Sequence, residues 1–190
     1  MSKYKNKRIT RDGFTFDSII ESDYYFHLKE LQKKGVVKSF ELQPKFTLLK
    51  GFTDSYGVKH RPIEYKGDFL VNYVDGTTKV IDIKGTILPE FKIKQKLYCS
   101  LYPHELVLIS YSKTDGGWIR LEDLKVARKG RKKEKEYYDS IMRDLYPKLI
   151  SIKEYNHDDV LVVIRKHMKE QYDLKVTNNR IEKAVKGTSK

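Results

Sequence analysis

Cysteine is nearly absent from this chain. Cys99 is the single copy in 190 residues, which excludes an internal disulfide and a zinc site built on cysteine pairs. No apolar run reaches the roughly 20 residues that a membrane-spanning helix requires, and the N-terminus carries no signal-peptide pattern. A reducing cytoplasm is the setting these absences imply. Glycine-rich phosphate loops and internal repeats are missing as well. The histidines, His27, His60, His104, His157 and His167, are scattered without metal-ligand spacing and are expected to be structural or exposed. Acidic residues are in deficit: 26 Asp and Glu against 39 Lys and Arg give a net charge of +13. That excess favours a polyanionic partner, nucleic acid ahead of an anionic membrane.

What is present centres on residues 67–85, GDFLVNYVDGTTKVIDIKG. Asp75-Gly76 between two runs of β-branched and aromatic residues predicts a β-hairpin. Side chains alternate along a strand, so Val80, Asp82 and Lys84 share one face while Ile81 and Ile83 point into a core. A two-residue turn would set Asp82 opposite Phe69 and aim the carboxylates of Asp68 and Asp82 apart. A three-residue loop, Asp75-Gly76-Thr77, sets Leu70 opposite Asp82 and Asp68 opposite Lys84, and the three charges converge. The bulged three-residue form, with Gly76 in the left-handed region, is the expectation. Two carboxylates and an ammonium on one sheet face suit a hard divalent cation, which takes oxygen ligands from carboxylates, water and a substrate phosphate. The ammonium would help neutralise charge building on phosphorus. From the hairpin alone, a salt bridge at a strand end accounts for the same residues equally well.

The flanking segments supply further candidates. Residues 1–11 are basic and aperiodic, a mobile arm that either contacts phosphate or merely solubilises. Residues 16–34 predict a helix: Ser18 and Glu21 fit a capping box, followed by Ile20, Tyr24, Leu28 and Leu31 at helical spacing. Glu21 thus has a capping role at once, and its place at the edge of the apolar stripe also lets it look toward the sheet. One or two strands are expected over residues 36–50 around Gln43-Pro44, then a loop or hairpin end over 51–61. A second helix starts near Pro89 and ends at Pro103. Phe91, Ile93, Leu97, Tyr98 and Leu101 form its predicted apolar arc, with Lys94 inside the arc and Lys92 and Lys96 outside. A lysine aimed at a core snorkels or meets an anion, so Lys94 is a second candidate cation of the site.

The apolar run ELVLISY, residues 105–111, predicts a buried strand parallel to the hairpin's second strand after the helical crossover. A short final strand follows at residues 118–121, with Trp118 as a packing residue. Residues 125–136, KVARKGRKKEKE, are a charge run: a linker or helix start, able to contact phosphates. Three helices are expected beyond it, over residues 137–149, 158–172 and 177–185. In the last, Ile181, Ala184 and Val185 face inward and Arg180, Lys183 and Lys186 outward. A helix-turn-helix and a plain helical subdomain that docks on a partner fit this pattern equally. The predicted organisation is a basic arm (1–11), a core (12–124), a basic linker (125–136) and a C-terminal helical subdomain (137–190).

The order of helix with Glu21, strand, hairpin with Asp68 and Asp82-Ile83-Lys84, helix, strand resembles the PD-(D/E)xK nuclease superfamily. More closely, Phe16-Asp17-Ser18-x-x-Glu21, Gln43-Pro44, Gly67-Asp68-Phe69 and Asp82-Ile83-Lys84-Gly85 are similar to a small phage and prophage endonuclease family. That family was formerly catalogued as a domain of unknown function and is related to Holliday-junction resolvases and TnsA-type endonucleases. The similarity covers residues 12–112. It implies an α/β fold with a restriction-endonuclease-like core, a central mixed β-sheet flanked by helices. It implies that Glu21, Asp68, Asp82 and the Ile83 carbonyl bind metal, that Lys84 positions the attacking water, and that Gln43 lies near the scissile phosphate. Gly67 stands where the superfamily has proline. The implied activity is Mg²⁺-dependent hydrolysis of DNA phosphodiester bonds, with Mn²⁺ as a substitute. The implied agent is a structure-selective recombination or replication nuclease such as a junction resolvase. It would act as a homodimer on duplex or branched DNA in the bacterial host cytoplasm. The rival expectations are a transposase-type subunit that needs partner proteins through residues 137–190, a non-catalytic DNA-binding protein on the same fold, and an RNA-directed nuclease.

Overall fold

Alternating apolar residues along 69–73 and 78–83 make the strands on which the first part of the chain is assembled. In a computed structural model, residues 7–187 are described. The elements are, in order, β1 (Ile9–Arg11), β2 (Phe14–Phe16), α1 (Ile19–Lys33), β3 (Val37–Leu42), β4 (Lys45–Leu49), β5 (Phe52–Thr53), β6 (Lys59–His60), β7 (Ile63–Lys66), β8 (Phe69–Tyr73), β9 (Thr78–Ile83), α2 (Pro89–Leu101), β10 (Glu105–Ser112), a single 3₁₀ turn (Lys113–Asp115), β11 (Gly117–Arg120), α3 (Leu121–Ile150), α4 (His157–Tyr172) and α5 (Asn178–Lys186). The chain divides into two compact units between Lys125 and Val126, a point that falls within α3.

The first unit is mixed α/β. Its five-stranded sheet has the order β11-β10-β9-β8-β3. Only β9 and β10 are parallel, as expected of strands joined through the α2 crossover. On one face, Phe69, Val71, Ile81 and Ile83 pack with Tyr24, Tyr25 and Leu28 of α1. Trp118 meets Tyr24 edge-on at 4.8 Å, in the packing role expected of it. On the other face, Val80 packs with Tyr98 of α2 and with Phe46, Leu48 and Tyr65 of the two-stranded β4–β7 ribbon. The sheet is therefore covered on both sides, which is why a charged side chain on its central strand becomes buried.

The hairpin turn corrects the expected register. The three-residue loop is Val74-Asp75-Gly76, one residue earlier than expected, closed by Tyr73 N–H donating to Thr77 O at 2.8 Å. Gly76 takes the left-handed conformation (φ +85°), and Asp75 Oδ1 accepts from Thr77 N–H and Oγ1–H. Leu70 consequently opposes Val80, not Asp82, and Phe69 opposes Ile81. One further step along that register sets Asp68 opposite Asp82 rather than opposite Lys84. The shift is two residues, so the expected face is kept and the acids still converge.

Other expectations also change. Residues 1–6 of the expected arm lie outside the described residues, while Ile9–Arg11 pairs with Phe14–Phe16 and is strand rather than mobile arm. On α2 the inward residues are Phe91, Lys94, Gln95, Leu97 and Tyr98. Ile93 and Leu101 are 64% and 54% exposed, because the helix is rotated so that the aromatic cluster, not the aliphatic positions, meets the ribbon. The charge run 125–136 is continuous helix within α3. Among the described residues no helix is long and apolar enough to cross a membrane.

The second unit packs the later part of α3 with α4 and α5 around Met142, Leu161, Ile164, Met168 and Ile181. Asn156 and Asp159 form a capping box on α4 and Thr177 caps α5. Arg143 Nε donates to the Ala184 carbonyl at 3.0 Å, beside the longer bond that carbonyl accepts from the Gly187 N–H at the C-terminus of α5.

Gly67, the residue that stands for proline in the resemblance, is held to glycine by space. A Cβ there would lie 2.8 Å from Val80 Cγ1 and 3.7 Å from the Tyr65 hydroxyl. Gly67→Ala is therefore expected to lower unfolding stability by about 1–3 kcal/mol in a urea titration, by overpacking. Unchanged stability would mean that Val80 gives way without cost.

Candidate active site

Asp82 lies near the end of β9, in the middle of the covered sheet, with no exposed surface. Tyr65 on β7 donates its hydroxyl to Asp82 Oδ2 at 2.7 Å. Lys84 Nζ stands 2.8 Å from Oδ1, a charge contact without hydrogen-bond alignment, so Oδ1 is buried with no hydrogen-bond partner. A buried carboxylate oxygen held only by a misaligned ammonium retains a lone pair for another cation. The ammonium also lies over the Phe91 ring of α2, 5.2 Å from its centroid, which fixes it from the side away from the sheet. The Lys84 side chain is 32% exposed, so it is the member of this pair that solvent reaches.

Asp68 immediately precedes β8 and is half-buried. Its Oδ2 accepts from Ile83 N–H at 2.6 Å, and its backbone carbonyl accepts from Gln43 N–H at 2.9 Å. Burial raises the Asp68 pKa first, the neighbouring Asp82 and Glu21 charges raise it further, and the Ile83 amide and Lys84 pull back only in part, leaving it at about 8. For Lys84, burial acts downward, but Asp82, Asp68 and Glu21 outweigh it and the net direction is up. Burial and then the Asp82 charge push the Tyr65 hydroxyl upward, so it remains a donor.

Glu21 forms half of the expected capping box: Ser18 caps its N–H, but its carboxylate accepts from Asp17 N–H and Ser18 Oγ–H rather than from the Ser18 amide. Its N–H donates to Ser18 Oγ at 3.2 Å, its Oε1 accepts from Ser18 Oγ–H at 2.9 Å, and its Oε2 accepts from Asp17 N–H at 3.1 Å. Burial nevertheless raises its pKa, more than these donors lower it. Glu21, Gln43 and Asp68 line one cleft of about 310 Å³. Glu21, Ile83 and Lys84 line a second. Lys84, Phe91 and Lys94 line a third, where Lys94 is 3.8 Å from Glu90. Gln43 has a positive φ of 54°, a conformation uncommon for a residue with a side chain.

The structure thus gathers Glu21, Gln43, Asp68, Asp82, Ile83 and Lys84 at one end of the sheet and sets Lys94 in an adjoining groove. Among the described residues, no three His, Cys, Asp or Glu side chains stand close enough to hold a metal ion as placed. The Glu21 carboxylate is engaged by Ser18 and Asp17, and the Lys84 ammonium stands against Asp82 Oδ1. A divalent cation of the Mg²⁺ kind needs only one or two carboxylates beside water and phosphate. Asp68 and Asp82 supply that number of carboxylates, and Asp82 Oδ1 has no hydrogen-bond partner to give up. Two contributors escaped the sequence. Tyr65 lies 17 residues from Asp82 on a strand that does not pair with β9, and only its place in the alternating run Ile63-Glu64-Tyr65-Lys66 hinted that it is buried. Phe91 belongs to the predicted apolar arc of α2, and nothing local in the sequence links it to Lys84.

The raised Asp68 pKa has a signed consequence. Between about pH 4 and pH 8 the folded state holds a proton that the unfolded state has lost, so stability falls as pH rises through that window. Thermal melts in metal-free buffer are expected to show a larger decline from pH 5 to pH 9 for the parent than for Asp68→Asn. The variant should be more stable at pH 9 by on the order of 1–3 kcal/mol. Parallel pH curves for the two proteins would contradict the burial and charge argument.

Comparison with known proteins locates the chain without assigning an activity. No curated protein and no solved structure matches it. Residues 1–119 match the family described as "Protein of unknown function (DUF1064)". That match takes in every residue of the carboxylate site and more than half of the 190-residue chain, and the chain belongs to the DUF1064 family.

Proposed function

We propose that this protein is a divalent-metal-dependent endodeoxyribonuclease with a PD-(D/E)xK core. The observation that carries the proposal is the opposition of Asp68 and Asp82 at the sheet end, with Lys84 reaching back onto Asp82. The net charge of +13 suits a polyanionic substrate. A cation held by Asp68 and Asp82 would supply a bound water of lowered pKa and neutralise charge on the scissile phosphate. Tyr65 holds Asp82 Oδ2 and leaves Oδ1 without a hydrogen bond, against the Lys84 ammonium. Lys84, once displaced from Oδ1, remains tethered by Phe91 where it can orient a water and meet developing negative charge. Glu21 faces the same cleft as Asp68 and is available to a water or a cation when its cap loosens. Lys94 gives the groove beside Lys84 a second positive charge.

Cutting both strands of a duplex or a junction requires two such sites, which a two-fold dimer supplies. A structure-selective recombination or replication nuclease is the refinement we favour. In the second unit, Lys183 and Lys186 lie on the exposed face of α5, where they can meet DNA phosphates or an acidic partner. Two observations favour a non-catalytic DNA-binding protein instead: the Lys84 ammonium already stands against Asp82 Oδ1, and the Glu21 carboxylate is already engaged by Ser18 and Asp17.

Cleavage separates the two. The parent in Mg²⁺ or Mn²⁺ is expected to cut at least one of a duplex, a flap and a four-way junction. Asp82→Asn and Lys84→Gln should each lose about 100-fold or more in rate with circular dichroism unchanged. A folded parent that cuts none of them would contradict the proposal, as would full activity in both variants.

A further inference from the structure

The ribbon that brings Tyr65 to Asp82 continues well past the point where that task is complete. Phe46, Leu48 and Tyr65 are buried against α2, and Tyr102 donates its hydroxyl to the Thr47 carbonyl at 3.1 Å. Beyond that anchor the character changes. From Leu49 to Glu64 every residue except Asp54 is exposed, so this stretch stands clear of the unit it grows from. Its base adjoins the candidate site through the backbone: β4 begins two residues after Gln43 and β7 ends two residues before Asp68.

The tip is held in one shape. Asp54 Oδ1 accepts from Tyr56 N–H and Val58 N–H, both at 2.9 Å, and Asp54 Oδ2 is 2.9 Å from His60 Nε2. The Asp54 amide donates to Val58 O at 3.0 Å, and Gly57 turns the chain with φ +83°. Phe52 stacks on His60 at 4.7 Å with ring planes 20° apart. At the end of this locked turn Tyr56 is 90% exposed. An aromatic ring fully in water contributes nothing to the core, and a turn already ordered loses little entropy when the ring meets a ligand.

The charge around it decides what that ligand is. Residues 45–66 contain Lys45, Lys50, Lys59, Arg61 and Lys66 against Asp54 and Glu64. Among the described residues none of the five cations is in an ion pair. Lys45 and Lys66 sit side by side across the ribbon, next to the candidate site. Unpaired cations leading from a proposed phosphodiester site to an exposed aromatic ring match a nucleic-acid strand, whose phosphates and bases alternate in the same way.

We propose that residues 49–64 form a DNA-binding arm in which Tyr56 stacks on an unpaired base while Lys50, Lys59 and Arg61 hold the neighbouring phosphates. The arm rests on the reading that the substrate is DNA and deepens it: discrimination for gapped or branched DNA over plain duplex resides in the tip. A plain duplex offers no open base face to Tyr56 and engages only the cations.

The test is binding by the full-length protein in EDTA, where no cutting enters. Two DNAs of equal length serve as probes, a plain duplex and a duplex with a short central gap carrying 2-aminopurine opposite no base. The parent is expected to bind the gapped DNA more tightly and quench the 2-aminopurine. Tyr56→Ala should weaken gapped-DNA binding about tenfold and abolish the quench while leaving duplex binding unchanged. Tyr56→Phe, which keeps the ring, should behave as the parent. Equal gapped-DNA affinity and quench in Tyr56→Ala would overturn the arm. So would a change in oligomeric state by sedimentation with DNA binding unaltered, which would make the tip a contact between copies. Failure of the nuclease reading looks different: a parent that discriminates through Tyr56 but never cuts DNA leaves the arm standing and removes the enzyme.

Discussion

A carboxylate with no exposed surface, placed on the central strand of a sheet covered on both faces, is the constraint that organises the first unit. Taking such a group out of water costs several kcal/mol unless charge and hydrogen bonds replace the lost hydration. Each neighbouring element brings one of those replacements. The β4–β7 ribbon delivers the Tyr65 hydroxyl to Oδ2. β9 itself delivers Lys84 two residues on. Helix α2 delivers the Phe91 ring that steadies the ammonium. Gly67 exists as glycine because the chain at that point passes against Val80. An apolar residue at position 82 would satisfy the core more simply, so this concentration of support points to chemistry rather than to stability.

The compensation is also incomplete, and its gaps lie together. Asp82 Oδ1 lacks a hydrogen bond, the Asp68 pKa is raised to about 8, that of Glu21 is pushed up despite two donors to its carboxylate, and Gln43 is held at positive φ. Departures from local rules cluster at sites where function sets the geometry. Each of the three electrostatic departures would be relieved by added positive charge. That shared direction is what links the geometry to the proposed cation and, through it, to a phosphate backbone.

Much of this arrangement could be anticipated because it rests on short-range rules. The Ser18 cap on Glu21 N–H needs only residues three apart. The face shared by Val80, Asp82 and Lys84 follows from strand alternation, and the parallel placement of β10 follows from the crossover helix. The turn was misplaced by one residue because Asp75-Gly76 permits either of two adjacent three-residue loops, and only the Thr77 contacts with Asp75 and Tyr73 decide between them. The error left the site intact because a two-residue slip preserves the face. Tyr65 and Phe91 could not be assigned because their partners come from elements that do not pair with them along the chain. The exposure of Ile93 and Leu101 depends on how α2 is rotated over Phe46 and Tyr65, which no helical wheel contains. The arm at residues 49–64 carries turn residues and scattered charge, a composition shared by loops of every kind. Its order comes from Asp54, whose three partners lie within six residues but whose role as a lock is visible only in the folded turn.

The central claim, that the opposed acids Asp68 and Asp82 form a deficient anionic site completed by a divalent cation, is tested most directly by Mn²⁺ titration followed by electron paramagnetic resonance, without DNA. Saturable binding by the parent that is lost when either Asp68 or Asp82 becomes asparagine, with the fold intact by circular dichroism, is the result the account predicts. Absence of saturable binding by the parent, or binding indifferent to both substitutions, would contradict it.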